Sequence, residues 1–424
     1  MTQEKKNSWL PIVMMILLFG MIGFVTNIAA PAGTIWMNQY EGSNAIGMLG
    51  NLMNFLAYLV MGIPAGLLLH KIGYKKTALT AILVGFCGVG IQFISGKFTG
   101  DAGLMCYLIG AFVAGFSMCM LNTVVNPMLN EIGGGGKKGG MLLQIGGSFN
   151  SLLGTIAPIF VGALIGSVTK ETVFSDINLV LYIAMAIFAV VGVVLSLVSI
   201  PEPGLEKTTS IAKSPWKYRH FVLGAIGIFI YVGVEVGIPG TMKFFLENLK
   251  DGALNPSAAG TVAATYWFLM LIGRLAGVGI AAKVSSRNLL ICASSIAIVL
   301  VGVGMLLPSN IMASMPVFSE FHFALQVVPV SALLFVLVGL CTSVMWGGIF
   351  NLAVEGLGAS VKQASGIFMM MVVGGGILPL LQNGIVDISG SYMLSYIVPL
   401  TGLAYLLFYA LVGCKNVSKN IPVK

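Results

Sequence analysis

Trp9 to Ala30 reads WLPIVMMILLFGMIGFVTNIAA, 22 residues without a charge. A helix rises about 1.5 Å per residue, so this run is long enough to cross a hydrocarbon core of about 30 Å. It follows Lys5 and Lys6. The apolar part of a secretory signal is only about 7–15 residues long. The stretch is therefore expected to stay in the mature protein as a first membrane span.

The same pattern repeats along the chain. Of 424 residues, 57% are hydrophobic and 8% are charged, whereas a soluble domain carries about 25% charged residues. So few charges cannot solvate a surface of this size in water. Apolar runs separated by charged or Gly/Pro breaks predict twelve spans, near 9–36, 45–69, 77–96, 102–129, 140–166, 177–199, 219–245, 257–282, 288–308, 324–353, 363–387 and 391–413. The expected fold is an all-α membrane protein of two six-helix bundles, residues 1–200 and 218–424, joined by a linker at 201–217. That linker is the longest interior break and holds two prolines close together, Pro201 and Pro203, and three lysines.

Charge sorting gives the orientation. With the N-terminus inside, 17 of the 22 basic residues fall on the inner side, Lys71, Lys75, Lys137 and Arg287 among them. Lys97, Lys170, Lys243 and Lys250 fall outside, and Arg274 lies within a span. The positive-inside rule then places both termini in the cytoplasm, and the expected location is a plasma (inner) membrane. The net charge of +8 is explained by these loops, so no nucleic-acid partner is expected. The lipid bilayer is the expected surrounding, and the chain is expected to act as a monomer.

Two junctions relate the halves. Asn126-Pro127 and Glu131 precede Lys138, and Asn351, Glu355 and Lys362 repeat that order at the end of the fourth span of the second half. Ala65-Gly66 before Lys71 and Lys75 is matched by Ala276-Gly277 before Lys283 and Arg287. Similar inner loops could also arise because short basic glycine-rich turns look alike. The functional expectation is a cytoplasmic gate of Glu131, Lys138, Glu355, Lys362 and Arg274, paired across the seam when the inner side is closed.

Several chemistries are excluded. Gly134 to Gly139 fits GxGxxG, but no strand precedes it and no acid follows at the required distance. The six cysteines and three histidines make no CxxC or HExxH pattern. The cysteines are expected as small buried hydrophobes, with no metal and no cofactor. No triad or paired-carboxylate site suggests an enzyme.

Polar residues at membrane depth are costly and point to function. Glu235 lies mid-span in a segment containing Gly233, Gly237 and Pro239. Its partner could be Arg274, and the two could equally serve to neutralise one another. Amides are numerous: Asn27, Asn51, Asn54, Asn122, Asn126, Asn150 and Asn351. With Tyr58, Tyr231, Trp267 and Trp346 they make the expected substrate site. A neutral polyol needs many neutral donors and acceptors plus aromatic platforms. Some of these amides could instead only join helices.

The chain resembles the fucose–proton symporter family of sugar transporters within the major facilitator superfamily. The resemblance is carried by Pro64-Ala65-Gly66 with Ile72-Gly73-Tyr74-Lys75-Lys76, Asn126-Pro127, Phe149-Asn150-Ser151, Tyr231-Val232-Gly233 with Glu235, Gly273-Arg274, Gly356-Leu357-Gly358 and Gly374-Gly375-Gly376. It implies alternating-access transport of a hexose or deoxyhexose such as glucose, galactose or fucose, with protons or sodium. Asn27 stands where the proton-coupled pattern has aspartate, Asn122 where it has glutamate, and Gly147 where it often has glutamine. An amide releases no proton in this pH range, so uniport, sodium symport and proton symport through Glu235 all stay open. An exporter of drugs or other small molecules is the alternative substrate reading. A sensor or scaffold without transport would need a signalling segment that the short tail after Cys414 does not supply.

Overall fold

The computed structural model describes residues 9–132, 136–165, 168–169, 171–202, 214–281, 284–319, 322–357 and 360–415. Most of the linker expected at 201–217 lies outside them. Helices dominate. They are α1 (Trp9–Gln39), α2 (Asn44–Ser95), α3 (Gly100–Ile132), α4 (Gly136–Ile165), α5 (Asn178–Leu197), α6 (Arg219–Glu247), α7 (Pro256–Ala281) and α8 (Ser286–Leu306). A hairpin of β1 (Met312–Ser319) and β2 (His322–Pro329) follows. The chain ends in α9 (Val330–Thr342), α10 (Met345–Val354), α11 (Val361–Met371), α12 (Gly374–Ser389), α13 (Tyr392–Ser395) and α14 (Ile397–Phe408).

Among the described residues, eleven helical segments are long and apolar enough to cross a membrane. One of them, α2, has 52 residues. As a straight rod it would extend about 78 Å, more than twice a bilayer core. It breaks at Gly73, where φ is 84° and ψ 173°, a conformation open almost only to glycine. The two parts are the second and third crossings, so the count becomes twelve, as the apolar runs predicted. The Glu202 carboxylate accepts from Tyr74 N at 2.7 Å and Lys75 N at 3.1 Å. It thereby satisfies backbone donors that the third crossing leaves open at its start and neutralises the positive end of that helix.

The last three crossings are interrupted helices. α9 with α10 makes the tenth, α11 with α12 the eleventh, and α13 with α14 the twelfth. The tenth does not begin near 324 as expected. Residues 324–329 belong to β2, paired antiparallel from Met312↔Pro329 to Ser319↔His322. In β1, Met315 and Val317 are buried while Ser314 and Pro316 are exposed. That alternation has a period of two, which favours a strand over a helix.

Side chains such as Leu67, Leu197, Leu306 and Ile388 point outward without protein cover, as lipid-facing positions do. Cys87 and Cys292 are exposed on this outer surface, whereas Cys119, Cys341 and Cys414 are buried. The expectation that the cysteines are buried thus fails for the first pair. Those two occupy positions where lipid substitutes for a protein core.

Packing between the two sets of six crossings is reciprocal. The second crossing packs on α11 and α12, the eleventh. The fifth, α4, packs on α7, the eighth. Second on fifth and fifth on second, counted within each set, is the pattern that a twofold axis between halves produces. Below, the near end is the face where α1 begins; the far end carries the hairpin.

Candidate functional site

A cavity of about 920 Å³ lies along the seam between the two sets. Its walls come from α1, α2, α3, α4, α6, α7, α10 and α11. Ten of the residues expected at the site line it: Asn27, Asn51, Tyr58, Asn122, Asn126, Asn150, Glu235, Trp267, Trp346 and Asn351. The first six come from the first half and the last four from the second.

Two expected residues do not line it. Asn54 turns into a small gap beside Val89, Gln92 and Leu181. A helix turns about 100° per residue, so seven residues return to within about 20° of the same face, whereas three miss by about 60°. Tyr58 therefore shares the face of Asn51, and Asn54 does not. Tyr231 is fully buried, with its ring centroid 6.1 Å from that of Trp346. It backs the cavity wall without reaching the surface.

The amides are pinned in a common way. Asn27 Nδ2 donates to Gly23 O at 2.8 Å, Asn126 Nδ2 to Asn122 O at 2.8 Å, and Asn122 Nδ2 to Met118 O at 3.1 Å. Each of these bonds reaches the carbonyl four residues back on its own helix. Asn122 Nδ2 also donates to Tyr58 Oη at 2.9 Å. Asn150 Nδ2 reaches Phe19 O at 2.8 Å on the neighbouring α1, and Asn51 Nδ2 reaches Gly375 O across the seam at 2.7 Å. Each of these five amide nitrogens thus has a protein acceptor. Among the described residues, no donor is bonded to the side-chain oxygens of Asn27, Asn51 or Asn150, which stay available as acceptors.

The charges are paired. Arg274 Nη2 lies 3.5 Å from Glu235 Oε1, with both side chains mostly buried. Arg274 Nη1 also donates to Gly147 O at 2.5 Å. The guanidinium therefore bridges α7 to α6 on its own side and to α4 on the other. A Cβ at position 147 would stand 3.0 Å from Nη1, so glycine leaves the space that the guanidinium uses. Arg274, expected at the near-end gate, lines this cavity beside Glu235, and its bond to Gly147 O joins the halves. Its position seven residues inside the end of α7 holds it at cavity depth.

The two ends of the cavity differ. At the far end Met37 and Met48 of the first half and Phe244 of the second form a buried apolar plug. Beside it, Asp387 of α12 accepts from Ser43 Oγ at 2.8 Å, Asn44 N at 2.9 Å and Ala45 N at 3.0 Å. A carboxylate from one half thus caps a helix of the other. Tyr392 Oη adds a bond of 2.7 Å to Asn44 Oδ1. At the near end His70 and Glu131 line the cavity and are exposed. Glu355 is exposed too, and among the described residues no ion pair joins the halves there. The side chains of Lys138 and Lys362 lie outside the described residues. Among the described residues, the cavity is therefore sealed at the far end and open toward the near end.

Sequence reasoning missed Lys243. It was counted as an outer-loop charge, but it lines the cavity with only 7% of its side chain exposed. Its Nζ is 2.8 Å from Glu247 Oε1, one turn along α6, and it bonds Thr34 Oγ1 of α1. The lysine–glutamate spacing of four was the signal available.

Comparison with known proteins agrees with the fold. The model of the Major Facilitator Superfamily matches residues 13–380. A glucose/galactose transporter of Brucella abortus is 29% identical, covering 98% of this chain and 97% of that one. The L-fucose-proton symporter of Escherichia coli is 21% identical over 96% of this chain and 94% of its own. A crystal structure of the transporter FucP in the outward conformation superposes with a TM-score of 0.69. It covers 96% of this chain and 99% of that one, at 18% identity.

Proposed function

The chain belongs to the major facilitator superfamily, and on that premise we propose that it carries a small neutral sugar by alternating access. It is a transporter and not an enzyme. The substrate we assign is a hexose or deoxyhexose of the glucose, galactose and fucose kind. The observation that carries the assignment is the set of pinned asparagines. Their nitrogens are held by the protein, so their oxygens present fixed acceptors to hydroxyl groups. Trp267 and Trp346 of the second half line the same cavity, and indole rings suit the C–H face of a pyranose. A cavity of about 920 Å³ has room for a monosaccharide with water. The glucose/galactose relative supports the same substrate class.

The near end is assigned to the cytoplasm, because the basic loops gather there. Both termini then lie inside, and the membrane is the inner (plasma) membrane. The halves that move against one another are residues 1–200 and 218–424, with 201–217 as linker, and a single copy suffices. Uptake is the direction we assign. The first-half positions that would carry a proton are the amides Asn27 and Asn122, so Glu235 is the group we assign to any proton coupling. Uniport and sodium symport are the competing mechanisms. Glu131 and Glu355 are the acids we assign to near-end closure, with Lys138 and Lys362 as partners.

The test is counterflow of labelled glucose, galactose and fucose in vesicles, with and without sodium and a proton gradient. Counterflow of at least one sugar is expected. Failure with all three would overturn the sugar assignment and favour export of another small molecule.

A further inference from the structure

A buried ion pair lies at the far end of the cavity, away from the pinned asparagines. Lys243 and Glu247 sit on the last two turns of α6, with side chains 7% and 5% exposed. Lys243 reaches across the seam to Thr34 of α1, and its ammonium lies 5.2 Å from the centre of the Phe244 ring. Phe244 is itself part of the apolar plug. Two opposite charges have thus been drawn into the surface where the halves close.

The physical sign of such a pair is known. Stripping water from two ions costs more than most pairs regain by attraction, and an apolar pair of similar volume is often the more stable choice. Removing one partner alone is worse, because a lone charge is then left buried. When the far end opens, α1 leaves α6 and both groups meet water, so the penalty vanishes in that state. It weighs on the closed far end alone.

We propose that Lys243 and Glu247 are positioning residues for the transport cycle: an ion pair within α6, buried at the seam and bonded across it to Thr34, whose dehydration holds back closure of the far end and keeps the outward-open state within reach. The proposal depends on alternating access but not on the identity of the solute.

The test reads conformation without sugar. A Met48→Cys probe in the plug is labelled with an impermeant maleimide from the hairpin face of the membrane, in right-side-out vesicles. Labelling is normalised to the amount of folded protein. Lys243→Gln and Glu247→Gln each leave one charge buried, and each is expected to raise the labelling rate about tenfold or more. The double substitution Lys243→Met with Glu247→Leu is expected to lower it below the parent rate. Lys243→Arg keeps the pair and is expected to leave the rate near the parent value. A double variant that labels faster than the parent, or single variants that label no faster, would overturn the proposal. If the pair only holds the fold together, single and double variants lose folded protein alike and show no opposite shift. Should a single variant fail to fold, the double variant and Lys243→Arg still decide. Sugar counterflow in the parent tests the substrate assignment separately, so the two failures are distinguishable.

Discussion

Replacing Glu235 by glutamine changes one charge and almost no volume, so its effects can be worked from the geometry. The carboxylate faces Arg274 at 3.5 Å, with the two side chains 13% and 15% exposed. Breaking a fully buried pair by removing one member costs about 3–5 kcal/mol. Two features reduce that figure: both groups touch the cavity, and Arg274 keeps its bond to Gly147 O. About 1–3 kcal/mol is then expected, or about 5- to 150-fold in an equilibrium constant. The variant is assayed in proteoliposomes by two measurements on one preparation. Exchange of labelled sugar at equal pH is expected to persist, with its half-saturation raised within that range. Accumulation driven by an inward proton gradient is expected to disappear. Glu235→Gln with Arg274→Gln removes both charges, so its melting temperature should recover toward the parent value instead of falling by the sum of the single losses. Unchanged gradient-driven accumulation in Glu235→Gln would refute the assignment of Glu235 to proton coupling. Additive losses in the double variant would refute the pair.

Asn122→Leu removes a cavity amide that anchors Tyr58 and Asn126, and should weaken sugar binding by about tenfold or more without abolishing membrane insertion, as measured by ligand-induced quenching of tryptophan fluorescence. Asp387→Ala strips the start of α2 of its cross-half cap, so labelling of a far-end cysteine should rise while sugar affinity in detergent changes little. Gly73→Ala forces a side chain into a conformation reserved for glycine, 2.6 Å from the Glu202 carboxylate. It should cost about 1–3 kcal/mol and lower the thermal midpoint.

The crossings were legible because lipid demands long uncharged runs, and the break at Gly73 was legible as the charged turn around Lys71 and Lys75. The start of the tenth crossing was not. The residues from 324 onward are apolar enough for either element, and only the buried–exposed alternation at Met315 and Val317 separates strand from span. At the site, residue types could be read but directions could not. Asn51 and Asn54 look like a helical pair, yet 60° of rotation sends the second away from the cavity. The choice of each asparagine nitrogen for a backbone carbonyl depends on neighbouring helices, as with Asn150 and Phe19. Lys243 was hidden by its position near the edge of an apolar run, where a loop charge and a buried charge look the same.

The contact of the eleventh crossing on the second has a mechanical consequence. A side chain added at Gly376 would meet Leu52 Cα at 2.9 Å, one at Gly375 would meet the Phe55 ring, and one at Gly62 would meet Met370 N at 3.0 Å. On these stretches one surface is bare backbone pressed against its neighbour. Knobs set into holes must climb out before two helices can turn on each other, whereas a smooth strip has little to disengage. Along this line the two helices can turn on each other with few side chains to disengage. Resistance to rocking then falls to the polar bonds that cross the seam: Asn51 to Gly375 O on this strip, Arg274 to Gly147 O at cavity depth and the Asp387 cap at the far rim.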